Sequence, residues 1–514
     1  MATPGVTDEY INRAASPVDV HQEKDRTDFT RVDQEVAKYT SDDVVYISPE
    51  KNDELRRKID RRVLVIMITT YFLQAIDKGT MSFASIMGIV TDTGLKGQEY
   101  SWMTTVIYMV ILVVEYPQNW IITKVPIAKY LSFSIVAWGA VLAATAACNN
   151  FSSLVAVRAL LGLFESVCQP AFIVLSAMWY KREEQAARVT YWYMMNGAQQ
   201  VVGGLLAYCF SLITGGPLKS WQWLFLVYGV ISVIYGVFVG WYMPDSPMRA
   251  KCFSEEDKKL MVERVRDNQT GLQSRKFRMD HAIEALKDPQ VWGYGLIALT
   301  TTLPTSGLGA FQGIIIKSFG FTLLETQLLA MVLGFYIIIV LLGSVWIVKR
   351  TNQNLLVMLG FVIPSFIGTA LLMTISPDTK PKKIGLLICY YITLSFWSAQ
   401  TLALSMISRN VAGTTKKSVA IATNFVFWSA GNSIGPQVFL SWDAPKYFIA
   451  FATHIGCYVL LVIVIIGLRF YLTHQNNKRD RMAAAGMVEA DPKNLVHGFE
   501  DLTDKQNLSF RYVY

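Results

Sequence analysis

Charge is scarce in this 514-residue sequence: Asp, Glu, Lys and Arg make up only 17% of it, where soluble domains carry about 25%. The deficit falls in repeated apolar blocks. Hydrophobic residues reach 52% and the mean hydropathy is +0.33, the composition of a polytopic membrane protein. Cysteine is sparse too. Cys148, Cys168, Cys209, Cys252, Cys389 and Cys457 include no CxxC pair and mostly fall in apolar stretches, which argues against a disulfide framework or a zinc site. A P-loop is missing, so ATP-driven transport is unsupported, and no HExxH occurs. Neither an enzyme nor a bound cofactor or metal is expected, which leaves an ion gradient as the energy source. The net charge of +8 sits mainly in tails and loops without an aromatic-interleaved basic stripe. It points to orientation and anionic lipid rather than nucleic acid. Residues 1–57 are polar and hold no apolar signal-peptide core, so the first span is expected to act as the insertion signal.

The stretch 154–180 organises what is there. It is long enough to cross a bilayer, which takes ~20 apolar residues, yet it carries Arg158 and Glu165. A charge at mid-membrane costs about 2.5–3.5 kcal/mol even on a lenient scale, so such residues face a protein interior or a water-filled cavity. Seven positions apart on a helix, the two lie on one face, ~10 Å apart. That face is expected to look into a cavity.

Eleven further apolar stretches read as spans: 63–88, 101–122, 127–148, 189–213 and 222–243, then 291–314, 324–347, 354–375, 384–407, 418–439 and 447–470. Two similar halves of six spans are a transporter signature, with substrate sites between the halves near mid-bilayer. The expected fold is all-α, twelve transmembrane helices in two six-helix halves. Residues 1–57 form an N-terminal tail, 58–243 one half, 244–290 an inter-half linker, 291–470 the other half and 471–514 a C-terminal tail. The basic knot Arg56–Arg62 before the first span places both termini in the cytosol by the positive-inside rule. Lys380, Lys382 and Lys383 run against that rule. Ser254 to Asp257 reads as a helix-capping box in the linker, Gly271 as a stop, and 279–287 as a second short helix.

Four groups of residues carry the candidate chemistry. Asp77 and Lys78 are adjacent charges near the middle of span 1, pointing ~100° apart. Asp77 is expected to neutralise Arg158 or Lys78 until it takes up a proton, with a fixed structural pair as the plainer reading. Arg158 beside Glu165 reads as an anion-binding arginine next to a titrating carboxylate. Glu115 in span 2 reads as a gating contact, as does Lys416 before span 11. Asn196, Gln199 and Gln200, Gln312, Gln400 and Asn424 are amides within spans, suited to ureido, amide or hydroxyl groups on a ligand or to ordinary interhelical hydrogen bonds. His454 reads as a packing residue.

Several motifs occur in order. They are Lys58 to Arg62, Asp77-Lys78 with Ser82 to Gly88, Glu115 to Asn119, and Arg158 to Glu165. Trp179 to Arg188, Pro244 to Pro247, Asn410 to Ser418 and Gly431 to Pro436 follow. In these the chain resembles the major facilitator superfamily, and within it the anion:cation symporter family in its fungal allantoate permease-like branch, over roughly residues 53–470. The resemblance implies a carrier that moves a small organic anion with protons. It places proton coupling at Asp77 and Glu165 and substrate binding at Arg158, with Lys78 where the wider family often has arginine. The expected partners are the anion, protons and lipid, for a monomer in the plasma membrane. The residues leave the direction open. An exporter of a drug or secondary metabolite would share this fold, and a non-transporting nutrient sensor would use the long tails.

Overall fold

Among the described residues, twelve long helical units make up the body of the fold. The computed structural model describes residues 47–122, 124–181, 184, 188, 191–213, 215–265, 278–485 and 502–514. Spans 1 to 6 are Val65–Met87, Glu99–Ile122, Ile127–Ala144, Phe151–Glu165 continued by Cys168–Trp179, Met195–Ser211, and Ser220–Tyr242. Spans 7 to 12 are Pro289–Ser318, Leu323–Thr351, Asn354–Thr374, Lys380–Thr393 continued by Trp397–Asn410, Thr414–Ile434, and Phe448–Ala484. No strand occurs among the described residues.

The stops are chemical. Span 1 ends at Gly88, whose φ of 114° is open to glycine and costly for other residues. Span 4 opens on Asn150, whose side-chain oxygen accepts from the Ser153 amide at 2.9 Å and caps the helix. Span 8 opens on a reciprocal capping box between Thr322 and Glu325.

Among the described residues, eight helices are long and apolar enough to cross a membrane by length and composition. Spans 1, 5, 7 and 11 fall short of that mark. They hold Asp77 and Lys78, Gln199 and Gln200, Thr300 to Thr302 with Gln312, and Asn424. Polar residues concentrate where a helix faces protein or a water-filled gap rather than lipid.

Glycine sets the close packing within a half. A Cβ built on Gly229 of span 6 would sit 2.5 Å from the Ala143 amide nitrogen of span 3, so only glycine lets these two backbones approach.

The N-terminal helix Pro49–Ile59, the linker helices Glu255–Arg264 and Met279–Leu286, and residues 502–514 gather on one face, here called the linker face. Ion pairs there divide the linker between the halves. Lys58 meets Asp257 at 2.6 Å, Arg188 meets Asp60 at 3.1 Å, and Arg264 bonds to Glu184 and Asn52, all on the N-terminal half. Lys416 meets Glu284 at 2.9 Å and Asp288 at 2.7 Å on the C-terminal half. The expected capping box is seen in part, with Ser254 Oγ accepting from the Asp257 amide at 3.1 Å. Met279–Leu286 lies where the second short helix was expected, while residues 1–46, Gly271 and much of the Trp179–Arg188 motif lie outside the described residues.

Two of the three lysines at the start of span 10 are held locally. Lys382 pairs with Asp378 at 3.1 Å, and Lys383 donates to the Gly320 carbonyl at 3.3 Å, beyond the C-terminus of span 7 where a cation is favoured.

Candidate functional site

The halves touch on the face opposite the linker and at mid-span. Gln98 Nε2 donates to the Gln437 carbonyl at 3.2 Å, Thr105 Oγ1 to the Ser433 carbonyl at 2.8 Å, and the Tyr100 hydroxyl to the Ala310 carbonyl at 2.7 Å. Deeper in, the Gly313 amide of span 7 donates to Ser82 Oγ of span 1 at 3.1 Å, and Gln200 donates to Gln312 at 3.0 Å. A Cβ on Gly313 would lie 2.8 Å from the Ser82 carbonyl oxygen, so the seal needs glycine there.

One helical turn from this seal toward the linker face, the two helices carry Lys78 and Gly309. Each lies four residues before its sealing partner, so each keeps the same side of its helix. Gly309 is exposed, and a Cβ built on it meets nothing within 4 Å. Since Gln312 and Gly313 both touch the other half, the open space at Gly309 is the gap between halves. The Lys78 side chain is 32% exposed and reaches that gap.

Three other charges stand behind it. Asp77, Arg158 and Glu165 are 1%, 2% and 1% exposed. Contrary to the expectation that Arg158 and Glu165 look into a cavity, both are enclosed by the N-terminal half. Arg158 Nη2 lies 3.0 Å from the Met81 sulfur, with the guanidinium 5.5 Å from the Phe225 ring centre of span 6. Neither carboxylate oxygen of Asp77 or of Glu165 accepts a hydrogen bond, and Arg158 Nε donates none. Among the described residues, Glu165 has one ionic contact, Lys78 Nζ at 3.9 Å. Asp77 lies near enough to Glu165, Arg158 and Lys78 to feel all three charges. Buried ions left this bare cost about several kcal/mol each, which a purely structural cluster would relieve with hydrogen bonds.

A helix break positions Glu165. Pro170 has no amide hydrogen for the Ser166 carbonyl, and span 4 turns at Ser166–Val167. Glu165 is the last residue of the first segment, and its freed carbonyl accepts from Gln74 Nε2 of span 1 at 3.1 Å. The break thus fixes Glu165 against the helix that carries Asp77 and Lys78.

The remaining candidates spread out. Glu115 is half-buried in span 2 and feels the Lys78 charge. Gln312 is engaged in the inter-half pair with Gln200. Asn196 donates to the Tyr71 hydroxyl at 3.0 Å and to the Tyr193 carbonyl, a packing arrangement. Gln400 is half-buried in span 10 and Asn424 buried in span 11. Lys416 is fully enclosed by carboxylates at the linker face, away from Lys78 along the span direction. His454 is buried between Phe439 and Phe451, consistent with packing. Sequence reading passed over Gly309 and Gly313. Their four-residue spacing in a polar span was the available signal.

Comparison with known proteins agrees with this architecture. The model of the Major Facilitator Superfamily matches residues 67–436. An uncharacterised transporter of Schizosaccharomyces pombe is 37% identical over 475 residues, covering 92% of this chain and 89% of that protein. The allantoate permease of Saccharomyces cerevisiae is 31% identical over 487 residues, 91% of this chain and 88% of the permease. Among solved structures, the inward open xylose transporter of E. coli superposes with a TM-score of 0.61 at 11% identity, over 78% of this chain and 95% of that one.

Proposed function

Because the chain belongs to the Major Facilitator Superfamily, as a secondary transporter of a small solute, we propose that it imports a small organic anion together with a proton, and that Lys78 holds the anion. The observation that carries this is the Lys78–Glu165 pair: a gap-facing cation whose one ionic contact among the described residues is a buried carboxylate at 3.9 Å. A substrate carboxylate in the gap competes with Glu165 for the same ammonium. A proton on Glu165 frees Lys78 for the anion. Its loss toward the linker face re-forms the pair and releases the anion there. Arg158 keeps the local field positive from behind, and Asp77 is the second proton site.

Charge balance supports one proton for each monoanion. Asp77, Glu165, Lys78 and Arg158 sum to zero when all are ionised. A monoanion alone leaves a net charge in a poorly hydrated site, and one added proton restores neutrality. On this reading the linker face lies in the cytosol, by the positive-inside rule, and the sealed face outside, in the plasma membrane. The allantoate permease likeness makes a ureido-type carboxylate the first substrate to try, with Gln400 and Asn424 as amide partners for its polar end and Glu115 at the gate.

The test is uptake by transport-deficient yeast offered labelled allantoate, ureidosuccinate, nicotinate or pantothenate at acidic and neutral pH. Wild type is compared with Asp77→Asn, Glu165→Gln and Arg158→Ala at matched surface expression. Acid-stimulated uptake that disappears in all three supports the reading. Uptake whose pH dependence survives both carboxylate variants overturns the proton sites.

A further inference from the structure

The Asn410 to Lys417 motif, at the linker face between spans 10 and 11, does not touch the Lys78 site. It instead surrounds the end of the chain. Asn410 grips the backbone of Val513 with both ends of its amide: Nδ2 donates to the Val513 carbonyl and Oδ1 accepts from the Val513 amide, each at 2.8 Å. The Ala412 amide donates to Asp504 Oδ1 at 3.3 Å. Gly413, at a φ of 84°, lies against Thr503, and a Cβ there would come within 3.1 Å of the Thr503 methyl. Lys416 Nζ meets Asp504 at 2.7 Å. Thr503 and Asp504 are both 0% exposed.

The neighbouring spans complete the grip. Asn476, on the extension of span 12, repeats the Asn410 arrangement on Tyr512, with both bonds at 2.9 Å. Arg479 donates to the carbonyls of Asp504 and Phe510, and its guanidinium lies 4.4 Å from the Tyr512 ring centre. The Tyr512 hydroxyl closes back onto Asp504 Oδ2 at 2.7 Å, and Gln290 of span 7 reaches the same oxygen at 3.0 Å. Two asparagines that each pair with both backbone groups of one residue read an extended peptide as a neighbouring strand would. Asp504 and Tyr512 supply the side-chain specificity.

We infer that the Asn410–Lys417 motif, with Gln290, Asn476 and Arg479, is a binding site for the chain's own C-terminal segment, Thr503–Tyr514, which docks as a releasable latch on the C-terminal half. The charges allow release. Without the segment, Lys416 still faces Glu284 and Asp288, at 2.9 and 2.7 Å. Around Lys416 the segment brings Asp504 and Lys505, a balanced pair, with Lys505 3.4 Å from Asp288, while its Arg511 pairs with Asp480 at 3.0 Å. Docking therefore changes the packing but not the net charge around Lys416. While docked, the segment ties spans 7, 10, 11 and 12 together at the linker face. It also reaches span 9, where the Asn354 amide donates to the Tyr514 carbonyl at 3.2 Å.

The test uses the purified chain ended after residue 501 and a fluorescent synthetic peptide of residues 502–514. The peptide is expected to bind the shortened chain and not the intact one, whose own segment fills the site. A peptide with Asp504→Asn is expected to bind at least about tenfold more weakly, through loss of a charge-assisted bond in a buried site. Binding to neither chain, or equally to both, overturns the inference. Hydrogen exchange on the intact protein guards against a shortened chain that fails to fold. The Tyr512 and Val513 amides are expected to be protected in wild type and to lose that protection in Asp504→Asn. Exchange of both amides at the unprotected rate in wild type overturns the docking itself.

Discussion

Lys78 and Glu165 stand 3.9 Å apart on spans 1 and 4, and of the two only the lysine reaches the gap between the halves, its side chain 32% exposed against 0% for the glutamate. This asymmetry separates their proposed roles: the exposed cation meets the anion, and the buried carboxylate carries the proton. Lys78→Ala is therefore expected to raise KM for the transported anion about tenfold to a hundredfold, the worth of a charge-assisted hydrogen bond. Glu165→Gln leaves the lysine permanently free. It is expected to bind the anion without needing acid and to lose accumulation against a gradient. Equilibrium binding and accumulation measured side by side check both. An unchanged KM in Lys78→Ala would move the anion site elsewhere.

Gly313 and Ser82 make the second prediction. A side chain at Gly313 meets the Ser82 backbone oxygen at 2.8 Å, and backbone cannot swing aside as a long side chain does. Gly313→Val is expected to cost the sealed arrangement about 1–3 kcal/mol through overpacking and to shift the carrier toward the state open on the opposite face. The reporter is Thr305→Cys, on the gap side of span 7, with the exposed Cys209 and Cys252 replaced by serine. An impermeant thiol reagent added outside cells should label it faster when Gly313→Val is present. Equal labelling rates would show that this contact does not govern closure.

Much of the fold was legible because a bilayer imposes one long apolar run per crossing, and Arg158, Glu165, Asp77 and Lys78 stood out against those runs. What the sequence could not show was depth. Arg158 and Glu165 share a helix face, but whether that face meets water depends on spans 1, 4 and 6 closing over it, and Phe225 and Met81 do so. The four-residue spacing of Gly309 and Gly313 was visible, but it does not tell the open space at Gly309 from the close contact at Gly313. The Asn410–Lys417 motif was visible as a pattern, yet its contact with Asp504 spans 88 to 92 positions and follows from tertiary packing alone.

At the linker face, Lys51 and Lys58 meet Asp257 at 3.3 and 2.6 Å and dock the N-terminal helix on the linker. Burial pushes the Asp257 carboxyl up, but hydrogen bonds from Lys58 and Lys51 outweigh it and hold the group below the ordinary carboxylate value. The same hydrogen bond from Lys58 to Asp257 holds that lysine above its usual value. A depressed carboxyl contributes fully above its unfolded pKa, about 3.9, and the contribution is lost as pH falls through the folded value. A raised lysine contributes fully below about 10.4 and loses its contribution as pH rises through the folded value. Docking is thus expected to be flat across neutral pH and to fail only in strong acid or strong base. Spin labels at Asp53→Cys and Glu256→Cys should report one narrow distance at neutral pH, broadening in acid, and a broad one at every pH in Asp257→Asn. A distance that broadens near neutrality would assign the contact to some other titrating group.

Gly309 offers a reading of substrate size. Its Cβ position is empty and faces the gap opposite Lys78, so a larger residue there occupies substrate space without disturbing any packed neighbour. Gly309→Ala and Gly309→Val are expected to reach the membrane at wild-type levels, with only the modest stabilisation that replacing an unconstrained helical glycine gives, up to ~1 kcal/mol. If the anion lies between Lys78 and Gly309, uptake falls in steps with the added volume. The loss is steeper for a bulky ureido carboxylate than for a compact anion such as nicotinate, because a pocket wall discriminates by the volume it removes. A variant that lowers uptake of every anion equally would place Gly309 in the conformational change rather than in the pocket. Wild-type uptake in both variants would put the anion outside the Lys78–Gly309 gap altogether.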